Sequence, residues 1–297
     1  MELLRVLETI RSPFLDTIIG LVTRLGEETL IMVAICIIYW CINKRAAYGI
    51  GIAFFFSGLT VQGMKICFRI DRPWIIDPTL KPVSSAIEHA TGYSFPSGHT
   101  QGAASFYASL GVMLKQKALK IICFIIILLV AFSRIYLGVH TLLDVVVSIV
   151  ISLLLVWLTS KFLSNKAESK RKELILALFM VTYSVIVIII AIVLYNGGII
   201  DQGYVSDCMK AAGAGIGFAI GMYIERIYID FSTQTKNLWM QIIKLLIGLA
   251  VILAIKEGLK LVIGTGLVAD TVRYFLLPIW LTVAYPLIIK RFISIEG

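Results

Sequence analysis

Three short stretches between Lys65 and Asp144 hold the side chains best suited to chemistry. They are Lys65-x6-Arg72-Pro73, Pro96-Ser97-Gly98-His99, and Ser133-Arg134-x5-His140-x3-Asp144. Together they supply three fixed cations, a hydroxyl, two imidazoles and a carboxylate. That inventory suits holding a phosphoryl group, attacking it and protonating what leaves. His140 and Asp144 are four apart at the start of an apolar segment, so a helix there places them on one face. The carboxylate can then accept one imidazole N–H, which fixes the tautomer and frees the other nitrogen to attack. Ser97-Gly98-His99 follows Pro96 at another helix start, where free N–H groups and a partial positive charge seat a phosphate. Ser97 adds a donor, and Gly98 lets the backbone come close. Lys65, Arg72 and Arg134 can neutralise the oxygens of a pentacoordinate transition state.

Taken singly, each piece has a bland reading. A histidine at a helix start is commonly structural, Ser-Gly is a common turn, and Lys or Arg at a helix end snorkels to headgroups. Co-occurrence changes the reading, since two of the three histidines in the chain fall inside these motifs. His89, in the same loop, matches no motif and reads as a solvated loop residue, as do Glu88, Lys81 and Asp77. Trp74, after Pro73, could wall a lipid entrance, although interfacial tryptophan is common without such a role.

The elements that must position these residues are membrane helices. The 297-residue chain is 59% hydrophobic with mean hydropathy +0.93, far above a soluble domain. At about 20 apolar residues per span, candidate spans fall at 28–43, 46–66, 97–114, 118–139, 141–162, 173–195, 208–229, 238–263 and 268–290. The fold class is thus all-α: a polytopic bundle of about nine transmembrane helices. Residues 3–25 alternate apolar and charged positions and read as an amphipathic helix in the interface, within an N-terminal segment 1–27, with a tenth span as the alternative. A catalytic core follows over 28–163. The helices of 173–291 come last; the first completes the core and the other three extend it.

The formal charge of +9 sits mostly in short loops between spans. This is the positive-inside pattern, not a nucleic-acid footprint. Lys44, Arg45, Lys115, Lys117, Lys120 and the 161–172 linker mark the cytoplasmic side. The motifs and the loops at 67–96, 196–207 and 264–267 fall on the opposite, outer side. Cys36, Cys41, Cys67, Cys123 and Cys208 form no C-x-x-C pair and read as apolar packing residues. No cleavable signal is expected, since Glu2, Glu8, Arg11 and Asp16 interrupt the first twenty residues.

In their order and gaps, the three motifs resemble those of the type 2 phosphatidic acid phosphatase superfamily. It contains lipid phosphate phosphatases, glucose-6-phosphatase and vanadium haloperoxidases. The resemblance covers residues 65–144 at motif level, with no departure at a signature position. It implies that His140 is the nucleophile, forming a phosphohistidine, and that Asp144 orients it. It implies that His99 protonates the leaving oxygen, and that Lys65, Arg72, Ser97, Gly98 and Arg134 bind the phosphate. No metal or other cofactor is expected. The substrate implied is a lipid phosphate: undecaprenyl diphosphate, phosphatidic acid or phosphatidylglycerol phosphate, in a bacterial cytoplasmic membrane. Alternatives are a soluble ester such as glucose-6-phosphate, a phosphotransferase, or a transporter or scaffold with relic motifs. Oligomeric state is not legible.

The second half carries no such motif. Lys256 or Lys260 with Glu257 is a possible intramembrane pair, and Arg273 lies early in the last span. Gly213, Gly215, Gly217 and Gly221 mark a small-residue face suited to close helix contact within the chain.

Overall fold

The computed structural model describes residues 1–88, 90–164 and 170–292, so His89 lies outside the described residues. Every regular element among them is a helix.

The chain opens with α1 (Glu2–Thr9) and α2 (Pro13–Arg24), where the sequence pattern predicts one helix over 3–25. The break falls at Ser12–Pro13. Pro13 has no N–H to continue the first helix, and Ser12 Oγ caps the second by accepting from Leu15 N at 3.4 Å. Leu4 and Leu7 of α1 are buried in an apolar cluster with Ile135, Tyr136 and Leu137. After a 43° bend, α2 gives way to α3 (Glu28–Ile37), which a π turn carries on to Ile42.

Next comes α4 (Lys44–Phe68), capped by Asn43 and ended by Arg69 in the left-handed region. A loop with the short helices α5 (Pro73–Ile76) and α6 (Ser84–Ile87) leads to α7 (Gly98–Met113). Then follow α8 (Lys117–Tyr136), α9 (Leu142–Ser164), α10 (Lys170–Asn196) and α11 (Gln202–Ile224). The last part holds α12 (Leu238–Leu253), α13 (Leu259–Ile263), α14 (Leu267–Ile279) and α15 (Tyr285–Phe292). π turns join α12 to α13 and α14 to α15 into two long apolar runs.

Six of these runs are long and apolar enough to cross a membrane, or seven if the bent α2–α3 pair is one span. α7 and α11 fall short of that measure, and their surroundings explain why. Both bury about half of their residues inside the bundle, with Gln101, Ser105 and Ser109 on α7 and Ala212, Gly213 and Gly217 on α11. A helix shielded from lipid by its neighbours need not be strongly apolar. The lipid-facing role falls to α8, α9, α10 and α12. These expose rows of large apolar side chains, such as Ile121, Phe124, Leu128, Val150, Leu154, Ile189 and Leu246.

One apolar core joins both halves: Ile35, Trp40, Ile50 and Phe54 pack with Phe218, Met222, Leu281 and Tyr285. The glycine face of α11 makes this possible. A Cβ at Gly213 or Gly217 would overlap the backbone of Thr271 or Phe275 on α14. The close contact expected from the small residues therefore forms within the chain. Neither Lys256 nor Lys260 pairs with Glu257 among the described residues; Arg273 pairs instead with Asp270.

Candidate functional site

The antiparallel order of the helices brings the motif ends together. Lys65 is near the end of α4, Gly98 and His99 open α7, Arg134 is near the end of α8, and His140 and Asp144 flank the start of α9. All but Asp144 and Ser97 line one crevice of about 430 Å³.

His140 is buried, and its tautomer follows from its neighbours. Arg72 Nη1 lies 2.9 Å from His140 Nε2. A guanidinium only donates, so Nε2 must be the unprotonated nitrogen. The ring proton is then on Nδ1, which faces Asp144 Oδ2 at 3.4 Å. Asp144 is itself fixed: the same oxygen accepts from Ser94 Oγ at 2.5 Å and from Thr141 N at 2.8 Å. Nε2, the nitrogen toward the crevice, keeps its lone pair. Burial first, then the cations Arg72, Arg134 and Lys65, push the His140 pKa well below its ordinary value.

Arg72 is held by backbone carbonyls: Nε by Gly92 O at 3.0 Å, Nη2 by Thr91 O at 2.6 Å, and Nη1 by Val139 O at 3.0 Å. Among the described residues Arg134 has one anchor, Thr23 Oγ1 at 2.8 Å from Nη1. Its Nε and Nη2 are buried without a partner among them, and so is His99 Nε2. Buried donors without acceptors are costly. Here they border a crevice where an anion would satisfy them. Lys65 is also buried and makes no hydrogen bond among the described residues.

Gly98 lines the crevice, and a Cβ there would meet nothing within 4 Å. The room such a Cβ would take is room for the ligand. Ser97 is placed differently from the expectation of a phosphate donor. It is fully buried, does not line the crevice, and caps α7 by accepting from Thr100 N at 3.5 Å, with Thr100 Oγ1 donating to the same oxygen at 3.0 Å. Trp74 lies under the Arg72 guanidinium, 5.9 Å from ring centroid to Cζ. Asp77 pairs with Arg5 at 2.6 Å, away from the crevice. Sequence reasoning missed Ser94, Thr141 and Thr23. It also missed the far wall of the crevice, formed by Glu28, Asp207, Lys210 and Tyr274.

The geometry agrees with what similarity to known proteins finds. The PAP2 superfamily model matches residues 45–168, and the model "PAP2 superfamily phosphatase, transmembrane extension" matches 209–296. Phosphatidylglycerophosphatase B of Bacillus subtilis is 31% identical over 171 residues, which is 77% of that protein and 52% of this chain. The chain belongs to the PAP2 superfamily. It is therefore a multi-pass membrane protein of a phosphatase family. Among solved structures, the first transmembrane PAP2-type phosphatidylglycerolphosphate phosphatase from Bacillus subtilis aligns with a TM-score of 0.50 and 27% identity. That alignment covers 56% of this chain and 85% of the other. Aquifex aeolicus LpxE aligns with a TM-score of 0.48 at 26% identity, over 54% of this chain and 93% of the other. These PAP2 relatives span about half of this chain, whose second half carries the transmembrane extension.

Proposed function

We propose that this protein hydrolyses a lipid phosphomonoester by transfer of the phosphoryl group to His140. One observation carries the reading: a lone pair on His140 Nε2, the unsatisfied donors of Arg134 and an unpartnered ring nitrogen of His99 border a single crevice. The arriving phosphate takes the Arg72 donor from Nε2 and accepts from Arg134, Lys65 and the first turn of α7. Nε2 then attacks phosphorus as the bond to the leaving oxygen breaks, and His99 gives that oxygen its proton. The charge of the dianion among the cations favours the imidazolium that His99 needs for this. Asp144, on Nδ1, stabilises the positive ring of phosphohistidine. In the second step water attacks phosphorus, His99 takes a proton from it, and the P–N bond breaks to free His140 and phosphate.

No metal ion enters this scheme, because fixed cations supply the charge. The names of the Bacillus relatives favour phosphatidylglycerol phosphate over phosphatidic acid and undecaprenyl diphosphate. In this reading all nine helical runs from α3 to α15 cross a bacterial cytoplasmic membrane, and the crevice faces outward. The N-terminal helices lie at the outer interface. Residues 28–163 with α10 form the catalytic core, and the last three runs are an extension.

The test is phosphate release by the purified protein in EDTA, from phosphatidylglycerol phosphate, phosphatidic acid, undecaprenyl diphosphate and glucose-6-phosphate. His140→Ala serves as the blank. Release from a lipid monoester that vanishes in the variant is the expected result. No release above the blank from any ester ends the enzyme reading.

A further inference from the structure

The crevice continues past the catalytic cations to a wall of different character. Glu28 comes from α3, Asp207 and Lys210 from α11, and Tyr274 from α14. Two of these side chains have unused hydrogen-bonding capacity. Among the described residues, Glu28 makes no hydrogen bond or ion pair, and neither does the Tyr274 hydroxyl. Lys210 Nζ, with three donors, reaches Asp207 Oδ1 at 3.4 Å and stands 3.9 Å from Asp270 Oδ2. Asp270 is already engaged by Ser206 Oγ at 2.5 Å and by Arg273. These residues line one space.

Both signs of charge line this space. Lys65, Arg72 and Arg134 stand at the catalytic end, and Asp207 meets Lys65 there: Asp207 Oδ2 and Lys65 Nζ each lie 3.7 Å from the position a Cβ on Gly92 would take. Glu28 has both Lys210 and Lys256 near it. An alcohol suits such a wall, because a hydroxyl donates to a carboxylate and accepts from an ammonium or a phenol.

The far wall is also tied to the catalytic loop. Tyr204, one turn before Asp207 on α11, stacks on Tyr93 with centroids 4.0 Å apart and planes 8° from parallel. The loop that ends in Tyr93 supplies the Thr91 and Gly92 carbonyls that hold Arg72. Lys210 and Tyr274 lie within the extension match, outside the superfamily match.

We propose that Glu28, Asp207, Lys210 and Tyr274 form a leaving-group subsite. It selects phosphomonoesters whose alcohol carries a hydroxyl beside the scissile oxygen. This rests on the phosphatase reading and assigns the extension a role in substrate choice.

The experiment uses the full-length protein in detergent with two matched pairs. Glycerol 3-phosphate is compared with propyl phosphate, and phosphatidylglycerol phosphate with phosphatidic acid; undecaprenyl diphosphate is a fifth substrate. The expected result is a kcat/KM ratio of about ten or more for the hydroxylated member of each pair. A site that hydrogen-bonds a substrate hydroxyl rejects the analogue lacking it, and this wall is open enough to keep the factor modest. Glu28→Ala and Tyr274→Phe remove capacity without touching the catalytic cations, and each should bring the ratio toward one. Equal kcat/KM within the wild-type pairs overturns the subsite while the phosphatase reading stands. Variants that lower both members of a pair equally also overturn it. No release from any of the five substrates above a His140→Ala blank overturns both. The wild-type ratios need no variant to fold.

Discussion

Arg72 Nη1 sits 2.9 Å from His140 Nε2, on the side of the ring opposite Asp144. This places a permanent cation against the proposed attacking nitrogen. The contact keeps Nε2 unprotonated and aimed into the space the phosphate enters. It also puts Arg72 where it can turn from ring to phosphate without leaving its three backbone carbonyls.

Asp144→Asn tests the tautomer argument. An amide at this position can offer an N–H to Nδ1, which drives the ring proton to Nε2 and removes the attacking lone pair. The expected outcome is a fall in kcat on the order of 10²–10⁴-fold, the range seen when the orienting carboxylate of a histidine base is lost. Thermal stability in detergent should change far less. A variant with near-normal kcat would show that Asp144 does not set the tautomer. Ser94→Ala should give a smaller loss in the same direction, because Thr141 N still holds the carboxylate.

The pH profile follows from the environment of His140. Burial and three cations disfavour its imidazolium, so its pKa lies below the ordinary 6.5. The neutral nucleophile therefore persists into mild acid, and the acid limb of kcat/KM should fall below pH 6.5. Removing one cation with Arg134→Gln takes away repulsion from the imidazolium. The pKa rises, and the limb moves to higher pH even as the rate drops. A limb that stays in place in the variant would mean that it reports another group.

Thr23→Val tests how Arg134 is aimed. Thr23 Oγ1 is the one hydrogen-bond acceptor Arg134 has among the described residues, and valine keeps the shape without the oxygen. A hydrogen bond to a charged group contributes about 1.5–3 kcal/mol. If the bond serves to position Arg134, kcat/KM should fall by roughly 10–100-fold. Unchanged kinetics would leave Thr23 a packing residue.

The candidate inventory of the site was legible because its parts are local. His140 and Asp144 are one helical turn apart, and Pro96-Ser97-Gly98 announces a helix start. The helix periods were legible for the same reason, although six helical runs, or seven with the bent pair, are long and apolar enough to span where the pattern suggests nine. The break at Ser12–Pro13 also carried a local signal, a capping serine followed by proline, which the amphipathic pattern across 3–25 obscured. The Arg134 anchor lies 111 residues away at Thr23. Asp207, Lys210 and Tyr274 reach the crevice only because α11 and α14 pack against the core. Such partners leave no mark on the sequence around either residue. Ser97 has both roles open to it in sequence, cap and donor, and only the direction of its Oγ separates them.

The glycine seam predicts where α11 is intolerant. A Cβ at Gly217 would overlap the Phe275 carbonyl, a backbone atom that cannot swing aside. Gly217→Ala should separate α11 from α14 and cost about 1–3 kcal/mol, read as a lower unfolding temperature in detergent. Gly203, on the same helix, has nothing within 4 Å of the corresponding position. Gly203→Ala should be neutral or slightly stabilising. Equal effects at the two sites would mean that the helices meet elsewhere.

The outward orientation is testable from the loop between α10 and α11. Lys44, Arg45, Lys115 and Lys117 gather at the end of the bundle opposite the crevice. The cations at the crevice end are withdrawn from solvent: Lys65 is 7% exposed, Arg72 4% and Arg134 1%. Buried in the site, they do not read as loop charges, so the positive-inside rule is left with the other end as cytoplasmic. Ile199 is 50% exposed beside that crevice end. In a Cys67→Ser background, which removes the exposed native thiol, Ile199→Cys should react with a membrane-impermeant maleimide in intact cells. Protection until lysis would place the crevice in the cytoplasm and restrict its substrates to those of the inner leaflet or cytosol.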